Sequence, residues 1–173
     1  MIILLPLHIN SQNFSGNQRY DHKILLTTFR SKCILIQHFH LKHNDIQISD
    51  NGKIIEIGEG IWGNCMCKQV IPKTGKIRFA FEMLGIGKEC LIGIGFREIV
   101  KQKGYIGAGQ GKGSYLLFHN SEPYFHHTHN TQGKAFQFKI NDIVIIEASV
   151  EQSQDLYPYV DLCNSKVRIK DIS

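Results

Sequence analysis

The sequence predicts an all-β fold, an antiparallel sandwich or barrel, on three observations. First, 4 Ala stand against 25 Ile in 173 residues, beside 16 Gly and 10 Phe, a bias that suits pleated, half-buried surfaces and tight turns and disfavours long helices. Second, Ile77, Phe79, Phe81 and Met83 alternate with Lys76, Arg78, Ala80 and Glu82, a period of two that marks a strand with one buried face. Third, short apolar runs recur between glycine-bearing loops, as in sandwiches and barrels. The length suits one domain with at most a short appendage. Such a chain buries a core without help from disulfides or metal.

In order along the chain, the opening MIILLPLHI is apolar but has no basic leader and no small-residue cleavage site. Pro6 and His8 interrupt it, so it reads as neither a signal peptide nor a membrane span. Residues 11–22 are polar and turn-rich and read as a loop or linker. Residues 23–39 carry two apolar bursts around Arg30, Ser31 and Lys32, a pattern that two strands or one helix fit equally. A hairpin follows: Ile46 and Ile48 alternate with polar neighbours, Asp50-Asn51-Gly52 tolerates positive φ, and Ile54 to Ile57 returns. Further strands are expected at 76–83, 90–96, 114–118, 135–140, 142–147, 156–163 and 166–172. Between them lie GIGKE, the glycine-dense GYIGAGQGKG, and HNSEPYFHHTHNTQGK, rich in aromatics and histidine. No internal repeat emerges.

Twenty Lys and Arg against fifteen Asp and Glu give a net charge of +5. The basic residues are spread singly, so the footprint of a nucleic-acid or anionic-membrane binder is weak. Five cysteines, Cys33, Cys65, Cys67, Cys90 and Cys163, make an odd count without framework spacing, which fits a reducing compartment, the cytoplasm or nucleus. The sequon at Asn13 to Ser15 is then read as chance.

Several segments, taken in order, resemble the SPRY domain family. They are Trp62 before a strand, KIRFAFEM, the small-residue strand LIGIGF, a glycine-rich loop leading into GSYLLF, and F-x-F-x-x-N-D-I-V-I-I-E; DLYPYVDLCNSKVRI closes the series and is the most specific. They span residues 45–172. The resemblance implies a bent antiparallel β-sandwich of two sheets, of jelly-roll type, acting as a non-catalytic protein-interaction module without cofactor. It divides the chain into an N-terminal appendage, 1–44, and a SPRY-like domain, 45–173. One departure is large: Glu147 reaches Asp155 through ASVEQSQ, where family members carry two more strands, so a hairpin is expected to be missing there or, if AFQFKIND serves as the family's Phe-Asn segment, in the SYLLF to HHTHN region. That narrows a sheet and leaves an edge for residues 1–45 to cover. Family members often belong to ubiquitin ligases or signalling adaptors.

Candidate chemistry is sparse. His126, His127 and His129 offer three imidazoles in four residues, but no fourth ligand is placed nearby, so solvated loop histidines are favoured over zinc. Cys65 and Cys67 share a strand face without a second pair and read as buried structural residues. The alternating glycines 107, 109, 111 and 113 match no phosphate-binding motif and precede no helical pattern. No nucleophile elbow occurs. What remains is the loop surface, because loops on a rigid scaffold carry recognition. Trp62, Tyr105, Tyr115, Phe118, Tyr124 and Phe125 lie in or beside the glycine-rich connections; Trp62 and Phe118 fit the core equally, and of Tyr115 and Leu117 one is expected to face inward and the other outward. Partner contact is assigned to Tyr105, Tyr124, Phe125 and His126, with a protein or peptide as ligand and no membrane. The rival readings are a metal-dependent enzyme using His126, His127 and His129, and a weak nucleic-acid binder.

Overall fold

The computed structural model describes residues 2–10, 38–73, 76–102, 113–120, 123–124, 136–151, 155–170 and 172. They form β1 (Ile2–Asn10), β2 (Phe39–Lys42), β3 (Gln47–Ser49), β4 (Ile54–Cys67), β5 (Lys76–Phe96), α1 (Arg97–Gln102), β6 (Ser114–Phe118), β7 (Pro123–Tyr124), β8 (Ile143–Glu151) and β9 (Leu156–Lys170). The hydrogen-bonded path runs β1-β8-β5-β9-β4-β2, with β3 on β4 and the β6–β7 hairpin on β5. Every ladder is antiparallel except that of β1 on β8. The predicted all-β class is what the chain adopts. Among the described residues no helix is long and apolar enough to cross a membrane.

Three long strands bend where their registers slip. Against residues 163–165 of β9, β4 slips between Ile57 and Trp62 and β5 between Ile86 and Glu89. The bend divides the path into two layers. In one, residues 54–57, 165–170 and 76–86 run beside β3, β8 and β1; in the other, residues 62–67, 156–163 and 89–96 run beside β2, β6 and β7. At the bend Asn164 takes φ 50°, and Gly87 comes so close that a Cβ there would collide with the Asn164 carbonyl. Only glycine fits. The Ser165 hydroxyl stitches the corner, accepting from the Gly87 N–H at 3.2 Å and donating to the Glu89 carbonyl at 2.8 Å.

The layers enclose one core. Ile77, Phe79, Phe81, Met83, Val144, Ile146, Val167 and Ile169 of the first layer pack with Cys65, Cys67, Ile92, Ile94, Leu117, Val160 and Leu162 of the second. The outer faces differ in kind. On the first layer it is half-exposed and carries ion pairs, Arg78–Glu147 at 3.1 Å, Lys166–Glu56 at 2.7 Å and Arg168–Glu82 at 2.9 Å. On the second, Met66, Leu91, Val100, Leu116, Phe118, Tyr157 and Tyr159 form another buried apolar cluster.

Several expected boundaries move. The segment GIGKE lies inside β5 rather than between strands, because the bend is absorbed by a register slip without a break. For the same reason the two expected strands at 156–163 and 166–172 are one, β9. The run expected as a strand at 135–140 is irregular where described, at 136–139. Its backbone is committed to a turn: the Lys139 N–H donates to Asp142 Oδ2 at 2.9 Å, and the Asn141 N–H to the Met83 carbonyl at 2.8 Å. Asn141 there has φ 70°. The hairpin around Asp50-Asn51-Gly52 forms as expected, with all three residues at positive φ. Residues 23–37 lie outside the described residues, and α1 is too short to leave a helical period in the sequence.

Candidate binding site

Two loops singled out by the sequence have anchors on the β6–β7 pair of the second layer. The glycine-dense stretch leaves α1 at Gln102 and rejoins at Gly113, just before β6. In β7, Pro123 lies opposite Leu117 and Tyr124 opposite Leu116. Because this pairing is antiparallel, β7 runs toward the Ser114 end of β6, the end that Gly113 precedes. The return of the second loop lies at the other end of β6, where the Phe138 N–H donates to the His119 carbonyl at 3.2 Å.

The frame beneath them is well tied. The Phe96 N–H donates to the Gly113 carbonyl at 2.7 Å; Gly113 has φ 93° and presses on Ile99 of α1, so a side chain there would be strained and crowded. Arg97 donates to the carbonyls of Cys67 and Lys68, each at 3.1 Å, and its guanidinium lies 3.4 Å from the centroid of the Tyr157 ring. One side chain thus joins the ends of β4, β5 and β9. The Ile71 N–H donates to the Leu156 carbonyl at 2.7 Å, which leaves its neighbour Val70 exposed at this end.

Tyr105, Phe125 and His126 lie outside the described residues, as do His127 and His129. Tyr124 is placed by its backbone, in a two-residue strand rather than in the loop expected. Trp62 is half-buried within β4, with Lys88 Nζ 5.9 Å from its ring. Phe118 is core. Tyr115 and Leu117 share the inward face instead of dividing between faces, since two residues along a strand return to the same side. Arg97 was not singled out by the sequence, and a lone arginine after an apolar run carries no signal of what it will stack on.

The described cysteines, Cys65, Cys67, Cys90 and Cys163, are free and buried. Burial pushes each thiol up from its ordinary value, which keeps it protonated and a poor nucleophile. Cys65 and Cys67 do share a face, turned into the core.

His119 is the described histidine whose titration burial shifts, downward. It sits between the rings of Phe118, 4.8 Å away, and Phe138, 6.4 Å away, and its backbone joins β5 to the Phe138 segment. The folded chain prefers the neutral imidazole, so this contribution is complete above the unfolded value of 6.5 and lost as pH falls from there toward the folded value. The urea midpoint of the native chain is expected to drop more between about pH 7.5 and pH 5.5 than that of His119→Gln. Equal drops would show that His119 stays solvated in both states.

No protein-family model matches the chain, and no curated protein matches it. Solved structures do. The SPRY domain of human HERC1 superposes with a TM-score of 0.63 at 14% identity, covering 78% of this chain and 98% of that one. The TRIM65 PSpry domain superposes with a TM-score of 0.54 at 10% identity, covering 75% and 85%. Two bent layers joined through continuous long strands, with an apolar core between them, are thus shared despite little common sequence, and the fold of this chain is that of the SPRY domains.

Proposed function

We propose that this chain is a non-catalytic protein-interaction module that takes a short segment of a partner protein on its glycine-dense loop before Gly113 and its aromatic-histidine loop after Tyr124. The observation that carries the reading is that the antiparallel β6–β7 pair carries one anchor of each loop. In that pair Gly113 precedes β6, and Tyr124, the last residue of β7, lies opposite Leu116. Recognition commonly sits on such loops, and adjacent aromatics such as Tyr124 and Phe125 offer the contact area that interface hot spots use. Tyr105 and His126 complete the proposed contact set. The SPRY resemblance extends the reading to an adaptor or substrate-recognition part of a ubiquitin-ligase or signalling protein, and the free cysteines fit work in the cytoplasm or nucleus.

The test starts with capture of partners on the purified chain, followed by titration of the partner identified. Replacing Tyr124 and Phe125 together by alanine is expected to weaken binding by at least about 2 kcal/mol, roughly 30-fold. The urea midpoint should stay close to that of the native chain. Normal binding by a folded double variant would move the interface elsewhere, and early unfolding would make these residues part of the core.

A further inference from the structure

The parallel strand β1 stands at one end of the hydrogen-bonded path. It pairs with β8 from Ile2 opposite Ile143 to Asn10 opposite Glu151, and among the described residues β8 is its one ladder partner. On its other side β8 is held antiparallel by β5, so β8 belongs to the core whether β1 is present or not. Its Val144, Ile146 and Ala148 are fully buried. Between β8 and β9 lie only residues 152–155, and the β8 edge away from β5 takes β1. Pro6, opposite Glu147, has no N–H to offer a ladder, and parallel pairing is the weaker kind per residue. β1 then reaches β2, at the far end of the path, through residues 11–38, whose first part is polar and turn-rich.

From these features we infer that the outer edge of β8 is a strand-acceptor site, that β1 is its tethered ligand, and that residues 2–10 of a second copy of this chain take the same edge in parallel register, giving a strand-exchanged dimer. An extended strand docked on an open sheet edge draws its affinity from main-chain hydrogen bonds, and the second copy carries the one segment known to fit this edge in register. A connection of about 28 residues holds β1 near its own β8 at an effective concentration on the order of 1 mM. The chain at micromolar concentration therefore keeps β1 at home. Exchange becomes comparable when the chain itself approaches that concentration, as with other swapped elements.

The test uses the full chain in a Cys33→Ser background, the remaining native cysteines being buried. Leu4 lies opposite Ile145. A chain carrying both Leu4→Cys and Ile145→Cys is expected to form an intrachain disulfide on mild oxidation at micromolar concentration. Failure of that bond would remove β1 from β8 and overturn the inference. The two substitutions are then placed on separate chains, which are mixed, unfolded in urea, refolded together and oxidised. A covalent heterodimer is expected at about 1 mM and should fall roughly 100-fold at about 10 μM, in step with the effective concentration of the tether. A control pairs Leu4→Cys with Gln137→Cys, on an exposed position outside the ladder. Heterodimer no more abundant than in this control, from chains that have refolded by circular dichroism, would overturn the exchange. A yield that is independent of dilution would do the same.

Discussion

Phe81→Ala is expected to lower the stability of the chain by about 3–5 kcal/mol, the range for emptying a buried aromatic site. Phe81 is fully buried. Its ring stands edge-on to Phe79 at 5.6 Å and lies stacked on Phe39 at 6.4 Å. Phe79 belongs to the same strand, whereas Phe39 comes from β2 in the other layer, so this ring is where the two layers meet. Truncation removes the transfer energy of the ring and leaves a cavity that two hydrogen-bonded layers cannot easily close. Phe81→Leu keeps most of the volume and should cost clearly less, under about 1.5 kcal/mol if the neighbours repack. Urea melts of both variants beside Gln137→Ala, an exposed control expected within about 0.5 kcal/mol, supply the comparison. A loss under about 1 kcal/mol for Phe81→Ala would mean that the layers do not pack around this residue.

That strand was also the most legible part of the sequence, and the reason is visible in the two outer faces. Residues 76–83 alternate because one side of the first layer meets the core and the other carries Arg78, Glu82 and their ion-pair partners in contact with water. The second half of the same strand, residues 90–96, reads as an unbroken apolar run because both sides are covered, by the core and by the outer cluster around Leu91 and Tyr159. A run with no period says strand only by its length and composition. Nor did the sequence show that 76–83 and 90–96 are one strand: Gly85 and Gly87 look like a loop, and their use at a bend depends on Asn164 arriving from far along the chain. The expected strand at 135–140 failed because an Asp142 side chain claims the Lys139 N–H, a local competition that a period-two pattern does not register.

The candidate site is legible as a pair of loops but not as a place. Composition marked the glycine-dense and aromatic-histidine stretches. Only the register of Pro123 and Tyr124 against β6 shows that one anchor of each lies on the same strand pair. The partner of the open β8 edge was equally hidden, since MIILLPLHI carries an apolar signal without stating its direction, and a parallel pairing across more than a hundred residues leaves no local trace.

Beneath the loops, Tyr157→Ala is expected to destabilise the fold by about 3 kcal/mol, as for a buried aromatic. Tyr157 is 6% exposed, yet it faces away from the main core, into the outer cluster of the second layer, so its cost measures whether that face is a true core. Part of the cost should come through Arg97, whose guanidinium lies 3.4 Å from the ring centroid. A cation held over a partly desolvated aromatic face contributes about 0.5–2 kcal/mol. Tyr157→Phe keeps that face and should lose under about 1 kcal/mol, the scale of one neutral hydrogen bond. Arg97→Met preserves the stem but removes both the stack and the donors to the Cys67 and Lys68 carbonyls, so by itself it should cost about 1–3 kcal/mol. In a double-mutant cycle with Tyr157→Ala, the two losses should fall short of additivity by about 1 kcal/mol, since the stack can be lost only once. Strict additivity would reduce Arg97 to a backbone clamp indifferent to the ring. A Tyr157→Ala loss below about 1 kcal/mol would show instead that the outer cluster holds little of the fold, and the frame on which the two loops stand would then rest on the inner core alone.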